Sequence, residues 1–256
     1  MTQSVADDYA RQIVDWLRKA DCAVALTGAG VSTASGIPDF RGPSGLYSKI
    51  SQRTFERDFL FEHPAEYYRI AVEHIHPLAD RTPNDTHRLL AELERRNMLN
   101  AVITQNIDRL HHKAGSENVV EFHGDCASFY CTECQKPYDR AAVEAKIAAE
   151  VVPYCDCKGL IRPGIVFFGD TIPMQALIES QSLASQCDLF IAMGSSLEIN
   201  PAAGLTHVAK QSGAKVVIAK VVIANLGPTR LDHLADLRCE IDLSALSRSL
   251  LTLLKS

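Results

Sequence analysis

The chain alternates short apolar runs with stretches of helical periodicity. Five runs rich in valine, isoleucine, leucine and alanine lie at residues 22–26, 101–104, 119–122, 189–193 and 216–224. Between most of them, helical patterns lie at residues 64–80, 85–97, 174–186 and 202–210. Continuous apolar strands separated by helices are typical of a parallel sheet that is buried on both faces. The pattern therefore predicts an α/β fold with helices on both sides of the sheet.

Small or polar residues follow all five apolar runs. The segments after the runs begin TGAG at residue 27, TQNID at 104, HG at 123, GSS at 194 and N at 225. Polar residues are expected in any turn, but ligands of such folds gather at the carboxyl ends of the strands. Five polar strand ends together therefore predict one continuous crevice along that edge of the sheet.

Residues 124–168 interrupt the alternation. They contain most of the cysteines, a short helical pattern (DRAAVEAKIAAE) and a return through GLIRPGIVFFGD. At 256 residues the chain is close to the size at which a single core stops growing. We therefore expect a main domain formed by residues 1–123 and 169–256, with residues 124–168 inserted as a small module.

Composition narrows the class of protein. Hydrophobic residues make up 46% of the chain and charged residues 22%, as in ordinary globular proteins. The net charge of −5 argues against non-specific nucleic-acid binding, and the longest apolar runs are too short to cross a membrane. Residues 1–21 lack the pattern of a signal peptide and are expected to form an amphipathic helix. We expect a cytoplasmic protein with no membrane partner.

Five of the eight cysteines fall between residues 126 and 157. Cys131-x2-Cys134 is followed, after twenty residues, by Cys155-x-Cys157. Four thiolates close a tetrahedral zinc site and leave no open position for water, so such a zinc is structural. The pattern predicts a structural Zn²⁺ that folds the inserted module. The alternative is four free, buried cysteines.

A glycine-rich stretch, TGAGVSTASGIPDFR, covers residues 27–41. Gly28 and Gly30 let the backbone turn tightly and approach a pyrophosphate, and Ser32 and Thr33 add hydroxyl donors. A dehydrogenase needs a second strand soon afterwards that ends in an acidic residue. Residues 42–60 are instead polar and broken. The stretch predicts a dinucleotide site that is not built for ordinary hydride transfer.

Three polar residues near the strand ends have two interpretations. Asn106 and Asp108 are either helix N-caps or groups that face a ribose or a carboxamide. His123 is either a structural histidine or a base, because an imidazole with a pKa near 6.5 can take a proton at neutral pH. The pattern alone leaves both interpretations open.

The motifs taken together resemble those of a known family. GAGVSTASGIPDFRG, TQNIDRLH, EFHG, the cysteine pairs, GLIRPGIVFFGD, GSSL and NLGPT occur in the order found in sirtuins, the NAD-dependent protein lysine deacylases. The resemblance covers roughly residues 10–242 and is closest to bacterial and archaeal single-domain sirtuins. It implies a Rossmann-like parallel sheet with helices on both faces and a small inserted zinc-binding module.

The resemblance implies that NAD is a consumed co-substrate. Residues after the glycines then form a mobile flap, in which Phe40 covers the nicotinamide and Arg41 contacts the phosphates. Asn225 matches a ligand of the adenosine ribose, and Ile241 a position near the adenine. The implied NAD-contacting residues are Gly28, Ala29, Gly30, Ser32, Thr33, Asp39, Phe40, Arg41, Gln105, Ile107, Gly194, Ser195, Ser196, Asn225 and Ile241.

The resemblance also implies catalytic roles. His123 matches the general base, Asn106 the residue that orients ribose and water, and Asp108 part of the pocket for the departing nicotinamide. The implied activity is deacetylation of lysine in acetylated proteins, with release of nicotinamide and O-acetyl-ADP-ribose. The enzyme is expected to act as a monomer. Alternatives are ADP-ribosyl transfer to protein, a non-catalytic NAD-sensing module and a zinc-ribbon nucleic-acid binder.

Two segments match those that clamp an extended substrate peptide by strand addition, residues 166–170 and 197–201. The residues expected at the peptide are Val166, Phe167, Phe168, Gly169 and Leu197. Sirtuins that prefer succinyl or malonyl groups carry a Tyr-x-x-Arg pair in the helix after the flap. Here Tyr67 and Tyr68 are followed three residues on by Ile70 and Ala71, so we expect a preference for neutral acyl groups.

The chain departs from the sirtuin pattern at three places. The second cysteine pair is one residue shorter than the common C-x-x-C, and Cys126 is an additional thiol that could serve as a ligand. Asp170 stands where glutamate is usual. The third departure is a tandem repeat, KVVIAKVVIA, at residues 215–224. We expect its second copy to be the sheet strand, because the strand end must bring Asn225 to the crevice. The alternatives are an ordinary longer strand or an artefact.

Overall fold

The computed structural model describes residues 2–40, 45–212, 220–224 and 229–255. Arg41 and Asn225, two of the residues expected at NAD, and the first copy of the repeat at residues 215–219 lie outside the described residues.

Nine strands and nine α-helices make up the regular structure of the described part of the chain. The strands are β1 (Ala23–Thr27), β2 (Ala101–Thr104), β3 (Val119–Glu121), β4 (Gly124–Cys131), β5 (Pro137–Asp139), β6 (Ile161–Ile165), β7 (Leu189–Met193), β8 (Lys220–Ala224) and β9 (Leu237–Cys239). The helices are α1 (Thr2–Leu17), α2 (Arg57–Glu62), α3 (Pro64–His74), α4 (Asp85–Arg95), α5 (Leu110–Ala114), α6 (Arg140–Glu150), α7 (Met174–Gln186), α8 (Gly204–Gln211) and α9 (Leu243–Lys255).

Six strands form the main sheet in the order β3-β2-β1-β7-β8-β9, and every neighbouring pair is parallel. The strand order changes direction between β1 and β7, which pair in register from Ala23↔Leu189 to Thr27↔Met193. A crevice outside such a switch point is where ligands of open parallel sheets bind. The predicted α/β fold is confirmed.

Alternate residues of β1 face opposite sides of the sheet, as the two-residue period of a strand requires. Ala23 and Ala25 belong to a core with α1, α4 and α9, whereas Val24 and Leu26 belong to a core with α7 and α8. The central strand is fully buried, which explains why its sequence is a continuous apolar run rather than an alternating one.

A third hydrophobic core belongs to a small lobe. The antiparallel strands β5-β4-β6 and helix α6 come from the segment predicted as an insertion. Half of the core, however, comes from an earlier excursion of the chain, between Leu46 and Ile75, which includes α2 and α3. The domain division at residues 123/124 and 168/169 stays a prediction.

Some elements differ from the predicted ones in extent. The helical pattern at residues 64–80 divides into α3 and a 3-10 helix, His76–Asp80, with Pro77 in its first turn, because proline cannot donate to a continuing α-helix. Strand β9 and helix α9 were not predicted. Strand β8 is the second copy of the repeat, paired with β7 from Leu189↔Lys220 to Met193↔Ala224, as expected.

In the part of the chain that the structure describes, none of the helices is both long enough and apolar enough to cross a membrane.

Candidate active site

A cavity of about 600 Å³ lies at the carboxyl ends of the central strands, between the main sheet and the small lobe. It brings together residues that are far apart in sequence. The expected site residues that line it are Gly28, Ala29, Gly30, Asp39, Phe40, Gln105, Asn106, Ile107, His123, Val166, Phe167, Phe168, Gly169, Gly194, Ser195 and Ser196. A second cavity of about 170 Å³ shares Ala29, Phe40, Asn106 and Ile107 with the first and adds Ser32 and Asp108.

The glycines after β1 are needed for a contact between two loops. A Cβ atom on Gly28 would lie 2.8 Å from the Gly194 carbonyl oxygen, and one on Gly30 would lie 2.8 Å from Gly194 Cα. The Gly30 N–H donates to the Gly194 carbonyl at 2.8 Å. The small residues at positions 28–30 and 194 therefore bring the ends of β1 and β7 into close packing, a reason that the sequence analysis did not identify.

Asn106 and Asp108 both bind the loop after β1. The Asn106 amide Nδ2 donates to the Gly28 carbonyl and to Ser32 Oγ, each at 3.1 Å. Ser32 Oγ donates to Asp108 Oδ2 at 2.6 Å, and the other oxygen of Asp108 accepts the Leu110 N–H at 2.9 Å. One carboxylate oxygen of Asp108 therefore holds the start of α5 and the other holds Ser32. Its contact with a ribose or a carboxamide stays a prediction. Burial raises the pKa of Asp108, and the Ser32 hydrogen bond opposes that shift.

His123 lies at the end of β3 with one ring nitrogen already engaged. Its Nδ1 is 3.0 Å from the Gln105 carbonyl oxygen. A carbonyl only accepts, so Nδ1 carries the hydrogen and Nε2 of the neutral ring has a free lone pair. Burial lowers the pKa of His123 below 6.5, and the bond to Gln105 opposes part of that shift. The side chain is held as a neutral imidazole that can accept a proton in the crevice.

An aromatic cluster closes the crevice near the flap. The Phe40 ring lies 5.5 Å from the rings of both Tyr47 and Phe55. The Asp39 carbonyl accepts the Leu46 N–H at 2.6 Å. Tyr47 and Phe55 line the cavity although the sequence analysis singled out neither. Both come from the polar, broken segment 42–60, which offered no periodic signal.

Backbone hydrogen bonds fix the segment that is expected to clamp a peptide. Phe168 donates its N–H to the Phe55 carbonyl and accepts the Arg57 N–H, at 2.7 and 2.9 Å. Val166 donates to the His123 carbonyl at 2.9 Å. Among the described residues, the Gly169 N–H and the Val166 carbonyl have no such partner. These two groups remain available for an added strand.

A buried ion pair fixes the same segment. The Arg162 guanidinium binds Asp170, and it donates to the Ile165 carbonyl at 3.1 Å. Asp170 Oδ2 also accepts the Phe167 N–H at 3.0 Å. The guanidinium lies over the Phe167 ring, 5.0 Å from its centroid. The departure at position 170 therefore retains an acid that ties the clamp to strand β6.

Of the described residues that were expected to bind NAD or the peptide, three lie outside both cavities. Thr33 is exposed, and its hydroxyl donates to the Gly30 carbonyl at 3.0 Å. Leu197 and Ile241 are buried in the cores on the two sides of the sheet. The Leu197 N–H donates to Ser195 Oγ at 3.2 Å. A contact of Leu197 with a peptide stays a prediction. The larger cavity is also lined by Asp170 and by Glu198, Ile199, Asn200 and Pro201, which belong to the two segments expected to clamp a peptide. Its lining residues that were not expected from the sequence are Tyr47, Phe55, Ile165 and Ile172.

The four cysteines predicted to bind zinc come together in the small lobe. Their Sγ atoms all lie within 4.8 Å of one another, with 3.4 Å between Cys131 and Cys157 and 3.6 Å between Cys134 and Cys155. Tetrahedral zinc with Zn–S bonds of about 2.3 Å separates its sulfurs by about 3.8 Å. The shorter C-x-C pair thus still fits a zinc ion. Cys126 is buried and is not part of the cluster.

One thiol of the cluster already favours the thiolate form. The Tyr138 hydroxyl donates to Cys155 Sγ at 3.1 Å, and this hydrogen bond, together with those from the Cys157 backbone and the neighbouring thiols, lowers the pKa of the Cys155 thiol to about 6. A thiolate is the form that binds a metal. The donor set therefore suits Zn²⁺, which would hold β4 to the loop before β6.

Comparison with known proteins identifies close relatives of this architecture. The Sir2 family model matches residues 28–201. The chain is 47% identical to an NAD-dependent protein deacetylase of Thermotoga maritima, over 93% of this chain and 95% of that protein. It is 43% identical to NAD-dependent protein deacetylase 1 of Pyrobaculum aerophilum, over 92% and 91%.

Solved structures agree with these matches. A Sir2–p53 peptide–NAD⁺ structure superposes with a TM-score of 0.89 at 45% identity, covering 95% of this chain and 98% of that one. A Sir2 structure with a deacetylated p53 peptide and 3′-O-acetyl ADP ribose gives a TM-score of 0.90 at 46% identity, covering 94% and 97%.

Proposed function

The chain belongs to the Sir2 family, and from that premise we propose that it is an NAD-dependent protein lysine deacetylase with His123 as its general base. The enzyme consumes NAD and releases nicotinamide and O-acetyl-ADP-ribose. Its co-substrate NAD and its acetylated peptide bind in the crevice between the main sheet and the small lobe.

In the first step, before the base acts, one bond to the ribose carbon forms and another breaks. The acetyl oxygen of the substrate lysine bonds to C1′ of the nicotinamide ribose as the bond to nicotinamide breaks. Nicotinamide leaves into the smaller cavity beside Ser32 and Asp108. Asn106, fixed by the Gly28 carbonyl and Ser32, orients the ribose for this step. The apolar wall formed by Phe40 and its neighbours limits the access of competing water.

The arrangement around His123 carries the proposal. A ribose hydroxyl gives its proton to His123 Nε2 and attacks the carbon of the imidate formed in the first step. Water then completes hydrolysis, which yields free lysine and O-acetyl-ADP-ribose. The Gln105 carbonyl supports this role because it holds Nδ1–H and leaves Nε2 as the only basic nitrogen of the neutral ring.

The remaining parts support catalysis without entering the chemistry. Cys131, Cys134, Cys155 and Cys157 hold a structural Zn²⁺, which stabilises the small lobe. The substrates are proteins that carry acetylated lysine, read mainly through their backbone by Val166 and Gly169. We also propose that the enzyme acts as a monomer. A zinc thiolate site persists in a reducing compartment, which supports a cytoplasmic location.

The direct test is release of nicotinamide from NAD in the presence of an acetyl-lysine peptide. We expect peptide-dependent release from the unaltered chain and almost none from a folded His123→Ala variant. ADP-ribosyl transfer would instead leave label from labelled NAD on protein. A well-folded, zinc-loaded chain that forms no NAD-dependent product would contradict the proposal, and would favour a binding module.

A further inference from the structure

A row of buried polar side chains lies behind Asn106 and reaches neither cavity. The Asn106 backbone N–H donates to Thr104 Oγ1 at 3.1 Å. Thr104 Oγ1 accepts from Thr27 Oγ1 at 2.9 Å, and Thr27 Oγ1 lies 2.9 Å from His111 Nε2. Thr27 and Thr104 are direct neighbours at the ends of β1 and β2. The row therefore links the first residues of the crevice to helix α5.

The direction of these hydrogen bonds follows from the number of hydrogens. A hydroxyl has one hydrogen, and Thr27 donates it to Thr104, so Thr27 must accept from His111. Nε2 of His111 therefore carries the hydrogen, and Nδ1 is an acceptor. Nδ1 is buried and has no partner among the described residues. The only N–H of the neutral His111 ring therefore donates to Thr27.

A second row holds the side chain of the same asparagine. The Asn84 N–H donates to His87 Nδ1 at 3.3 Å, so His87 Nε2 carries a hydrogen and faces Ser32 Oγ at 3.4 Å. Ser32 in turn accepts from Asn106 Nδ2. The rings of His87 and His111 pack at 4.8 Å between centroids. Two neutral imidazoles in contact thus lie at the starts of the two rows.

We propose that His111 is a positioning residue for Asn106, acting through Thr27 and Thr104. This inference rests on the proposed function, in which Asn106 orients the ribose. The His111 N–H fixes the orientation of the Thr27 hydroxyl, which donates to Thr104. Without that N–H the Thr27 hydroxyl can rotate, and Thr104 Oγ1 no longer receives a hydrogen bond of fixed direction. The turn that begins at Asn106 then samples geometries in which the ribose is misoriented. His111 touches no substrate, so its effect falls on turnover rather than on binding.

Four single variants and a neighbouring control test this role. His111→Leu removes the donor, whereas His111→Gln keeps an N–H at a comparable reach. Thr104→Val removes the acceptor of the Asn106 N–H, whereas Thr104→Ser retains it. His112→Leu is the matched control, because His112 is the adjacent histidine but contacts Glu121, at 3.4 Å, instead of the row.

We measure steady-state kinetics of nicotinamide release for each variant and use thermal melting to check that it is folded. We expect His111→Leu and Thr104→Val each to lower kcat about tenfold, with KM for NAD and peptide within about twofold, as for loss of a buried hydrogen bond that positions a reacting group. His111→Gln, Thr104→Ser and His112→Leu should retain most of kcat. The double variant His111→Leu/Thr104→Val should lose little more than either single variant, because both interrupt one row.

Each contrary result has a distinct meaning. A folded His111→Leu variant with unchanged kcat overturns the inference, as do multiplicative losses in the double variant or equal losses in His111→Gln and His111→Leu. If His111→Leu does not fold, the Thr104→Val and Thr104→Ser pair decides by the same criterion. An unaltered chain without NAD-dependent turnover overturns the proposed function and this inference with it.

Discussion

At the scale of single residues, the environment of a histidine determines what it can do. His123 gives its N–H to a backbone carbonyl and keeps a free lone pair beside the crevice. His87 and His111 are more deeply buried, and burial lowers the pKa of His87 to about 4. All three are neutral at pH 7, but only His123 lines the cavity. Its position, rather than its residue type, supports the role of base proposed for it.

The lowered pKa of His123 predicts where activity is lost in acid. A base works in its unprotonated form, which predominates above its pKa and disappears as the pH falls through it. Because burial lowers that pKa below its usual value of 6.5, the acidic limb of the kcat/KM profile should be centred below pH 6.5. A pH–rate profile with an acetylated peptide measures this. An acidic limb centred above pH 6.5 would contradict the assignment of His123.

The walls of the cavity predict a preference for neutral acyl groups. Among the described residues that line it, none is lysine or arginine, and Phe40, Ile107, Ile165 and Phe167 provide an apolar wall. Arg69 is exposed on α3 and does not line it. A succinyl carboxylate would be desolvated there without a cation, at a cost that lowers kcat/KM by roughly tenfold or more. Comparable kcat/KM values on matched acetyl and succinyl peptides would disprove this.

At the scale of elements, the clamp at residues 166–170 depends on one buried ion pair. The Arg162 and Asp170 side chains are only 9% and 14% exposed. Breaking a buried pair costs about 3–5 kcal/mol, because one charge stays buried without a partner. Asp170 also fixes the Phe167 N–H, so its loss should loosen the clamp as well as the fold.

Asp170→Asn is therefore expected to raise KM for the peptide more than KM for NAD, and to lower the melting temperature. Asp170→Glu, which restores the residue usual in sirtuins, should keep both close to their original values. The two KM values and a thermal melt give the comparison. Equal increases in both KM values, or full activity of Asp170→Asn, would show that the pair does not hold the clamp.

The tandem repeat predicts that its first copy, residues 215–219, is not needed for activity. Strand β8 is the second KVVIA copy, and it pairs with both β7 and β9. Deleting residues 215–219 leaves this strand and its connection to Asn225 unchanged in sequence. We expect the shortened chain to keep NAD-dependent turnover and to aggregate less, since it lacks one apolar KVVIA copy. Loss of NAD binding, measured by calorimetry, would show that the first copy is required.

The elements differ in how far the sequence could predict them. The strands β1, β2, β3 and β7 were found because fully buried strands are continuous apolar runs. Strand β9 has three residues with an arginine in the middle, too short for any pattern. Helix α9 carries leucines at helical spacing, so its signal was present but was not used. Phe55 lines the cavity only because its segment pairs with Phe168, a contact over more than a hundred residues that no local pattern encodes.

At the scale of the whole molecule, the small lobe is assembled from two separate excursions of the chain. Its core contains residues Leu46–Ile75 and residues Cys126–Phe167 in one cluster. The cysteine cluster lies in the second excursion only. Zinc therefore stabilises one half of this core. The other half, which includes α3 and the aromatic wall of the crevice, packs against it and depends on it.

Removal of zinc should accordingly affect the crevice as well as the module. We expect about one zinc ion per chain, and expect chelation to melt the lobe and abolish turnover, because folding and metal binding are coupled at such sites. Metal analysis and near-ultraviolet circular dichroism before and after chelation provide the measurement. Cys126→Ser is the control and should retain zinc. Fully active protein with far less than one zinc per chain would contradict this.

The packing of α1 against α9 sets an order of events during synthesis. The apolar face of α1, with Ala6, Ala10, Ile13 and Leu17, is covered by α9 in the same core. Ribosomes add about 5–20 residues per second, so α9 emerges roughly 10–50 s after α1. For that interval the nascent chain exposes the apolar face of α1, because the helix that covers it has not yet been made. The core shared by α1 and α9 is thus completed only after α9 has been translated, and holdase chaperones at the ribosome have that long to bind the exposed face.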